Sequence, residues 1–417
     1  MIEPVGGLFR QIPVTLMASP TTPLPLQGLK VFDLGQGVAA PFCTMMLAAQ
    51  GADVIKVEPA AGDWIRANPV RYRGHTAASL AFNIGKRSLA LDLKRPSAQA
   101  LARRIALGCD VFVENFRTGV IDRLGLGRTA LAAARPELVY ASISGFGAQG
   151  PLAGRGAMDP IAQAFSGWMV LNAGDDGVPQ RTRSTVLADQ ICGLYASQAI
   201  AHALLRRFRF GQGAHLEITL VGAMAAFIAP RILAALLGRG EPPPARFPSP
   251  TGEYATGDGL LTVASHLPSG FAPFCELIGR PELKTDPRFE TPAARAAHAA
   301  ALKAEIESTL ATRSAGDWET LLNDGGVMAA AVRSVGAFLA DPQTRAMGLV
   351  REVVLAGMGA CPVLQVPGAP SWTDRPHPPT MPQVGEHGRD ILREAGLTAG
   401  EIEAHVAEGD VLEPAPA

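Results

Sequence analysis

The heptapeptide LADQICG, Leu187–Gly193, sets one carboxylate among Val186, Leu187, Ala188, Ile191 and Cys192. A carboxylate in apolar company needs a partner, a cap position or a chemical task. Two readings stand side by side. Asp is a favoured N-cap, and a helix Gln190–Arg206 would begin directly after Asp189. A carboxylate facing a helix start can also meet a substrate there, so the readings are compatible. Other residues with chemistry in them lie upstream. Asp159 and Pro160 open a short helical pattern, and Arg181 and Arg183 precede Asp189. Gly85-Lys86-Arg87 reads as a turn offering two cations. Asn115-Phe116-Arg117 follows a strand candidate, and Arg123 lies on the helix after it.

The elements that must position these residues follow from the pattern. LKVFDL (Leu29–Leu34) is a strand running into Gly35-Gln36-Gly37, and Ala39–Ala49 is a helix rich in small and apolar residues. A second strand, DVIKV, follows at Asp53–Val57. Strand, glycine loop, helix and strand in that order predict a βαβ unit and a doubly wound parallel sheet. The glycine loop could seat phosphates on the helix start, although GQG is not the dinucleotide fingerprint GxGxxG. Further strands are expected at Val111–Glu114, Val139–Ser144 and Ala214–Leu220, with ligands collecting at their carboxyl ends. Gly145-Phe146-Gly147-Ala148-Gln149-Gly150 allows a tight turn or a close backbone approach. Arg239–Pro250, with its run Pro242-Pro243-Pro244, is the clearest linker. After it come a hairpin around Gly257-Asp258-Gly259 and helices near 270–278, 293–312 and 317–324.

Composition bounds the function. At 417 residues the chain is expected to form two domains. A net charge of −1 without basic or acidic blocks argues against nucleic-acid and membrane-surface partners. An anionic ligand would therefore be held by a few placed cations. Five scattered cysteines without a CxxC pair suggest reduced thiols of the cytoplasm, and no metal site is indicated. The proline-punctuated start is read as an extension, and no window offers an uninterrupted apolar membrane span.

In order along the chain, LQGLKVFDLGQGVAAP, GADVIKVEPAAGD, NIGKRSLALDLK, DVFVENFRTGVIDRLGLG, SISGFGAQGP, GQGAHLEITL, RPELKTDPRFETPAAR and VGEHGRDIL resemble the class III (CaiB/BaiF-type) CoA-transferases. That family also contains the α-methylacyl-CoA racemases. The resemblance covers nearly the whole chain after Leu26. It implies a Rossmann-like large domain built from both termini with a small α+β domain inserted, and an interlocked homodimer. The corresponding boundaries are 1–25 for the extension, 26–225 and 346–417 for the large domain, and 226–345 for linker and small domain.

The same resemblance places the catalytic aspartate on Asp189. Its carboxylate would attack an acyl-CoA thioester to give a mixed anhydride, and an aspartyl-CoA thioester would then activate the incoming carboxylic acid. No permanently bound cofactor is implied; coenzyme A is a cosubstrate. Its expected contacts are Gln36, Gly37, Val38, Lys86, Asn115, Phe116, Arg117 and Arg123, with Lys86 and Arg123 suited to phosphate. A glycine quartet that some relatives carry in the small domain has no match in Glu241–Pro250. Racemases resemble the chain too, but their catalytic His and Glu correspond to Met158 and Leu267, which cannot exchange a proton. A non-catalytic CoA-binding relative is a further alternative, opposed by the presence of Asp189. For the acid, Arg181 and Arg183 could pair the far carboxylate of a dicarboxylate such as succinate, mesaconate or citramalate. Asp159 and His266 are further candidates at the substrate.

Overall fold

The computed structural model describes residues 23–67, 70–174, 176–238, 249–265, 268–355, 358–375 and 377–414. His266, Leu267, most of the proline-rich linker and most of the N-terminal extension lie outside the described residues. The described chain divides into two compact units, one over 249–347 and one formed by 23–238 together with 348–414.

The larger unit is organised by a seven-stranded sheet. Its strands are β1 (Lys30–Asp33), β2 (Asp53–Glu58), β3 (Lys86–Leu91), β4 (Val111–Glu114), β5 (Val139–Ser144), β6 (Ala214–Thr219) and β7 (Val411–Leu412). Their spatial order is β7-β3-β2-β1-β4-β5-β6. All neighbours pair in parallel except β7, which runs antiparallel to β3 and returns the C-terminus to the sheet edge. Strand order reverses between β1 and β4, so this doubly wound α/β sheet has its switch point there.

Strands β1–β5 are largely buried on both faces, which is why they read as nearly continuous apolar runs, whereas the edge strand β6 is only partly covered. Alternation still sorts their residues. Val31, Val54, Val111, Val113, Val139 and Ala141 join one core, under the helices Ala39–Ala49 (α1) and Leu187–Phe210. Phe32, Ile55, Leu89, Phe112 and Tyr140 join the other, under the helices Pro96–Leu107, Arg128–Ala134 and Gly388–Glu394. Phe32, Phe112 and Tyr140 stack in one row across β1, β4 and β5, with centroids 5.2 and 4.7 Å apart. This row fixes strand register beside the switch point. α1 is buried on almost every side and is correspondingly apolar all round.

The smaller unit carries a three-stranded antiparallel sheet in which Leu260–Ala264 lies between Met328–Ala331 and Gly252–Ala255. Its core gathers Leu261, Val263, Phe274, Phe289, Leu302, Ile306 and Trp318.

Candidate active site

Where β1 and β4 diverge, the segments after them are tied to each other. Asn115 accepts from the Gln36 N–H at 2.9 Å and donates from Nδ2 to the Gln36 carbonyl at 2.8 Å. The rest of the Gly35–Gly37 loop is held from below by buried charges. Asp33 Oδ1 accepts from the Gly35 N–H at 3.0 Å, Lys56 Nζ donates to the Gly35 carbonyl at 2.8 Å, and Asp63 Oδ1 accepts from the Gly37 N–H at 2.8 Å. Lys56 and Asp63 pair at 2.9 Å with neither side chain exposed. Gly37 has φ +76, and a Cβ there would lie 2.3 Å from Trp64 Cζ2. Only glycine suits that turn.

Lys86 lies beneath the same loop, on Asp33 and the Pro41 carbonyl. It is not on a turn: Lys86 and Arg87 are the first residues of β3, and alternation sends them to opposite faces. Arg87 reaches Asp53 and Glu394. The Lys86 ammonium is wholly buried and donates to Asp33 Oδ2, the Pro41 carbonyl and Asn83 Oδ1 at 2.9–3.0 Å. The expected phosphate contact is therefore corrected. Lys86 is spent on the framework beneath the loop, because a lysine in a two-sided buried strand must have its charge matched inside.

The helix carrying Asp189, Leu187–Phe210, starts earlier than the sequence suggested. Further helices of the large unit are α2 (Asp159–Phe165), α3 (Leu187–Phe210), α4 (Leu220–Phe227) and α5 (Ala229–Gly238). Asp189 lies in the first turn of α3 and is not its N-cap; that position is Val186, whose side chain caps nothing. The cap comes from α2. Asp159 Oδ1 accepts from the Ala188 N–H at 2.6 Å, and Asp159 Oδ2 accepts from Gln163 Nε2 at 2.7 Å. Asp159 is almost fully buried, and its charge meets the positive end of α3. Four residues beyond Asp189, Gly193 packs on α1 so closely that a Cβ would stand 2.8 Å from the Ala39 carbonyl oxygen. Both α1 and α3 lead into the sheet from its carboxyl end, so this contact sets Asp189 at the end where the Gln36–Val38 loop lies.

Burial first, and the nearby Asp159 charge second, push the Asp189 carboxyl up to about 7. Among the described residues its oxygens have no hydrogen-bond partner. The carboxyl is half-buried, so it is desolvated and still reachable. Such a group is poised to exist in both protonation states near neutrality.

The structure gathers Gln36, Gly37, Val38, Asn115 and Phe116 around the switch point. Val38 is buried against Ile65 and Phe82, with Val186 of the α3 entry beside them. Phe116 and Arg117 border a cavity of about 140 Å³ on the other face of the sheet, which Glu114, Ser142 and His215 also line. Burial raises the Glu114 carboxyl to about 6. Arg117 is exposed and its guanidinium lies over Gly156; Arg123, Arg181 and Arg183 are exposed as well. Lys56, Asp63 and Gln163 were missed in the sequence. A lone lysine within the strand DVIKVE was the available signal for the first, and Gln163 stands four residues after Asp159 on one helical face.

The family model for CoA-transferase family III matches residues 26–388. This chain belongs to that family. It is a class III CoA-transferase, an acyl-CoA:carboxylate CoA-transferase that uses coenzyme A as cosubstrate. It is 33% identical over 385 residues to the succinate–glutarate CoA-transferase of Agrobacterium fabrum, covering 89% of this chain and 95% of that one. It is 35% identical to the acetyl-CoA:oxalate CoA-transferase of Acetobacter aceti, with the same coverage of 89% and 95%. Among solved structures, a CaiB/BaiF family protein from Brucella suis superposes with a TM-score of 0.80 at 33% identity, covering 90% of this CoA-transferase and all of that chain. Rv3272 of Mycobacterium tuberculosis gives 0.77 at 30%, covering 88% and 98%.

Proposed function

We propose that the CoA-transferase works through covalent catalysis at Asp189 and accepts dicarboxylic acids. The observation that carries the first part is a half-buried carboxyl raised to about 7, without a hydrogen-bond partner among the described residues, on a helix start held by another carboxylate. In the first step an Asp189 oxygen bonds to the thioester carbonyl carbon of the acyl-CoA and the C–S bond breaks. CoA leaves as thiolate and an aspartyl–acyl anhydride remains. The thiolate then attacks the aspartyl carbonyl, releasing the donor acid and leaving aspartyl-CoA. The acceptor carboxylate repeats the two steps in reverse order, and Asp189 is regenerated. Thioester and anhydride are comparable in energy, so no other energy source and no permanently bound cofactor is required.

CoA is read as lying along Gln36, Gly37, Val38, Asn115 and Phe116, with Arg117 and Arg123 for its phosphates. The Gln36 and Gly37 N–H groups are already used by Asn115 and Asp63. Oxyanion stabilisation must therefore come from other donors. Relatives named for succinate, glutarate, mesaconate and citramalate support a dicarboxylate acceptor, and Arg181 and Arg183 are assigned to its far carboxylate. Racemase chemistry is disfavoured because exposed Met158 stands where a base is required. Phe208, Phe210, Leu236 and Leu237 are 89, 63, 73 and 83% exposed, and a second copy of the chain is assigned to cover such apolar side chains. No single helix among the described residues is long and apolar enough to cross a membrane; a cytoplasmic homodimer, interlocked as in the family, is the assembly proposed.

The test is CoA exchange between succinyl-CoA and labelled succinate. Asp189→Asn should lose at least about a thousandfold in rate. Undiminished exchange in that variant would remove the proposal.

A further inference from the structure

We propose that Gln163 is a positioning residue for acid selection, holding the Gln180–Arg183 segment in register with the helix that carries Asp189. This rests on the reading of Asp189 as nucleophile and of Arg181 and Arg183 as acid contacts. Gln163 lies on α2 with no exposed surface. One end of its amide donates to Asp159 Oδ2 at 2.7 Å, and the other accepts from the Thr182 N–H at 2.9 Å. Asp159 spends its remaining oxygen on the Ala188 N–H. A single side chain thus joins the segment before the site to the first turn of α3. Neither Leu nor Glu can supply both a donor and an acceptor in that place at neutral pH.

The segment has further ties to the same region. Trp168 Nε1 donates to Thr182 Oγ1 at 3.1 Å, the Gln180 N–H donates to the Met169 carbonyl at 2.9 Å, and Asn172 Nδ2 donates to the Gln180 carbonyl at 3.0 Å. Thr182 is turned inward by these bonds, while Arg181 and Arg183 on either side of it are exposed. A dicarboxylate held at one end by a guanidinium presents its reacting carboxylate at a distance fixed by its own length. Gln163 therefore acts on the acid through the placement of Arg181 and Arg183, without touching the acid.

The experiment measures CoA transfer from succinyl-CoA to glutarate and to pentanoate by full-length wild type and Gln163→Leu, Trp168→Phe and Arg181→Ala/Arg183→Ala variants. Loss of a hydrogen bond that positions a charge should raise the glutarate KM roughly tenfold in Gln163→Leu and about threefold in Trp168→Phe. The pentanoate KM should stay within about twofold, and kcat should change by the same factor for both acids, since Asp159 also loses its donor. In the double-arginine background Gln163→Leu should add nothing, since both changes act on one contact. Equal KM effects on both acids, or an undiminished KM effect in that background, overturn the inference. Should Gln163→Leu fail to fold, Trp168→Phe decides by the same criterion. Intact mass after succinyl-CoA treatment separates the levels. Acylated wild type that prefers glutarate, with no acid-specific change in KM for Gln163→Leu, sinks only the role of Gln163, whereas unacylated wild type sinks the reading beneath it.

Discussion

Replacing the nucleophile should make the protein more stable. The Asp189 carboxyl stands at about 7 where an ordinary aspartate stands at 3.8, chiefly because burial penalises its charge. The sign follows from proton counts. Below about pH 4 both folded and unfolded chains carry the proton and Asp189 costs nothing. As pH rises from about 4 to about 7 the unfolded chain releases it while the folded chain retains it, so unfolding is favoured by about 1.4 kcal/mol per pH unit. Above about 7 both states are ionised and the penalty is constant. Its ceiling is roughly 4 kcal/mol, and partial access to water lowers that to about 2–3 kcal/mol. Asn at this position removes the charge and abandons no hydrogen bond among the described residues. Urea unfolding of wild type and Asp189→Asn, at equal protein concentration, should give stabilities within about 1 kcal/mol of each other near pH 4.5. At pH 8 the variant should be more stable by about 2–3 kcal/mol. A pH-independent difference, or a variant weaker at pH 8, would refute the claim that this carboxyl is held desolvated.

The acylation rate of wild type should rise with pH with an apparent pKa near 7, and Asp159→Asn should move that midpoint downward, as read from single-turnover CoA release between pH 5 and 9. Lys86→Met should lower stability by about 3–5 kcal/mol by leaving Asp33 without its buried partner, visible as a falling melting temperature. Arg123→Ala, at an exposed site, should leave the melt unchanged and raise the KM for acyl-CoA about tenfold at low salt, less at high salt. Gly37→Ala should cut turnover by at least about tenfold, because the new methyl group must displace Trp64.

Much of the frame was legible in the sequence because the sheet is parallel and buried. LKVFDL, DVIKV and DVFVE could hardly be anything but strands, and the glycine loop after the first marks where the switch point falls. The placement of charge was not legible. Lys86 follows a glycine and precedes an arginine, a pattern that reads as a solvated turn, yet the parallel pairing with β2 draws it inside. The helix of Asp189 was expected to begin with its own cap. Its cap is instead Asp159, separated from Ala188 by 29 positions, and no local pattern reports such a contact. Gln163 was invisible for the same reason: its value lies in joining two segments that only the fold brings together.

Covalent catalysis requires one bond, formed between Asp189 and a donor's acyl group or CoA during turnover. Enzyme mixed with succinyl-CoA and quenched in hydroxylamine should yield, on peptide mapping, a hydroxamate on Asp189 in the peptide containing LADQICG and on no other carboxylate. Continued CoA exchange by enzyme in which Asp189 is never captured would contradict it.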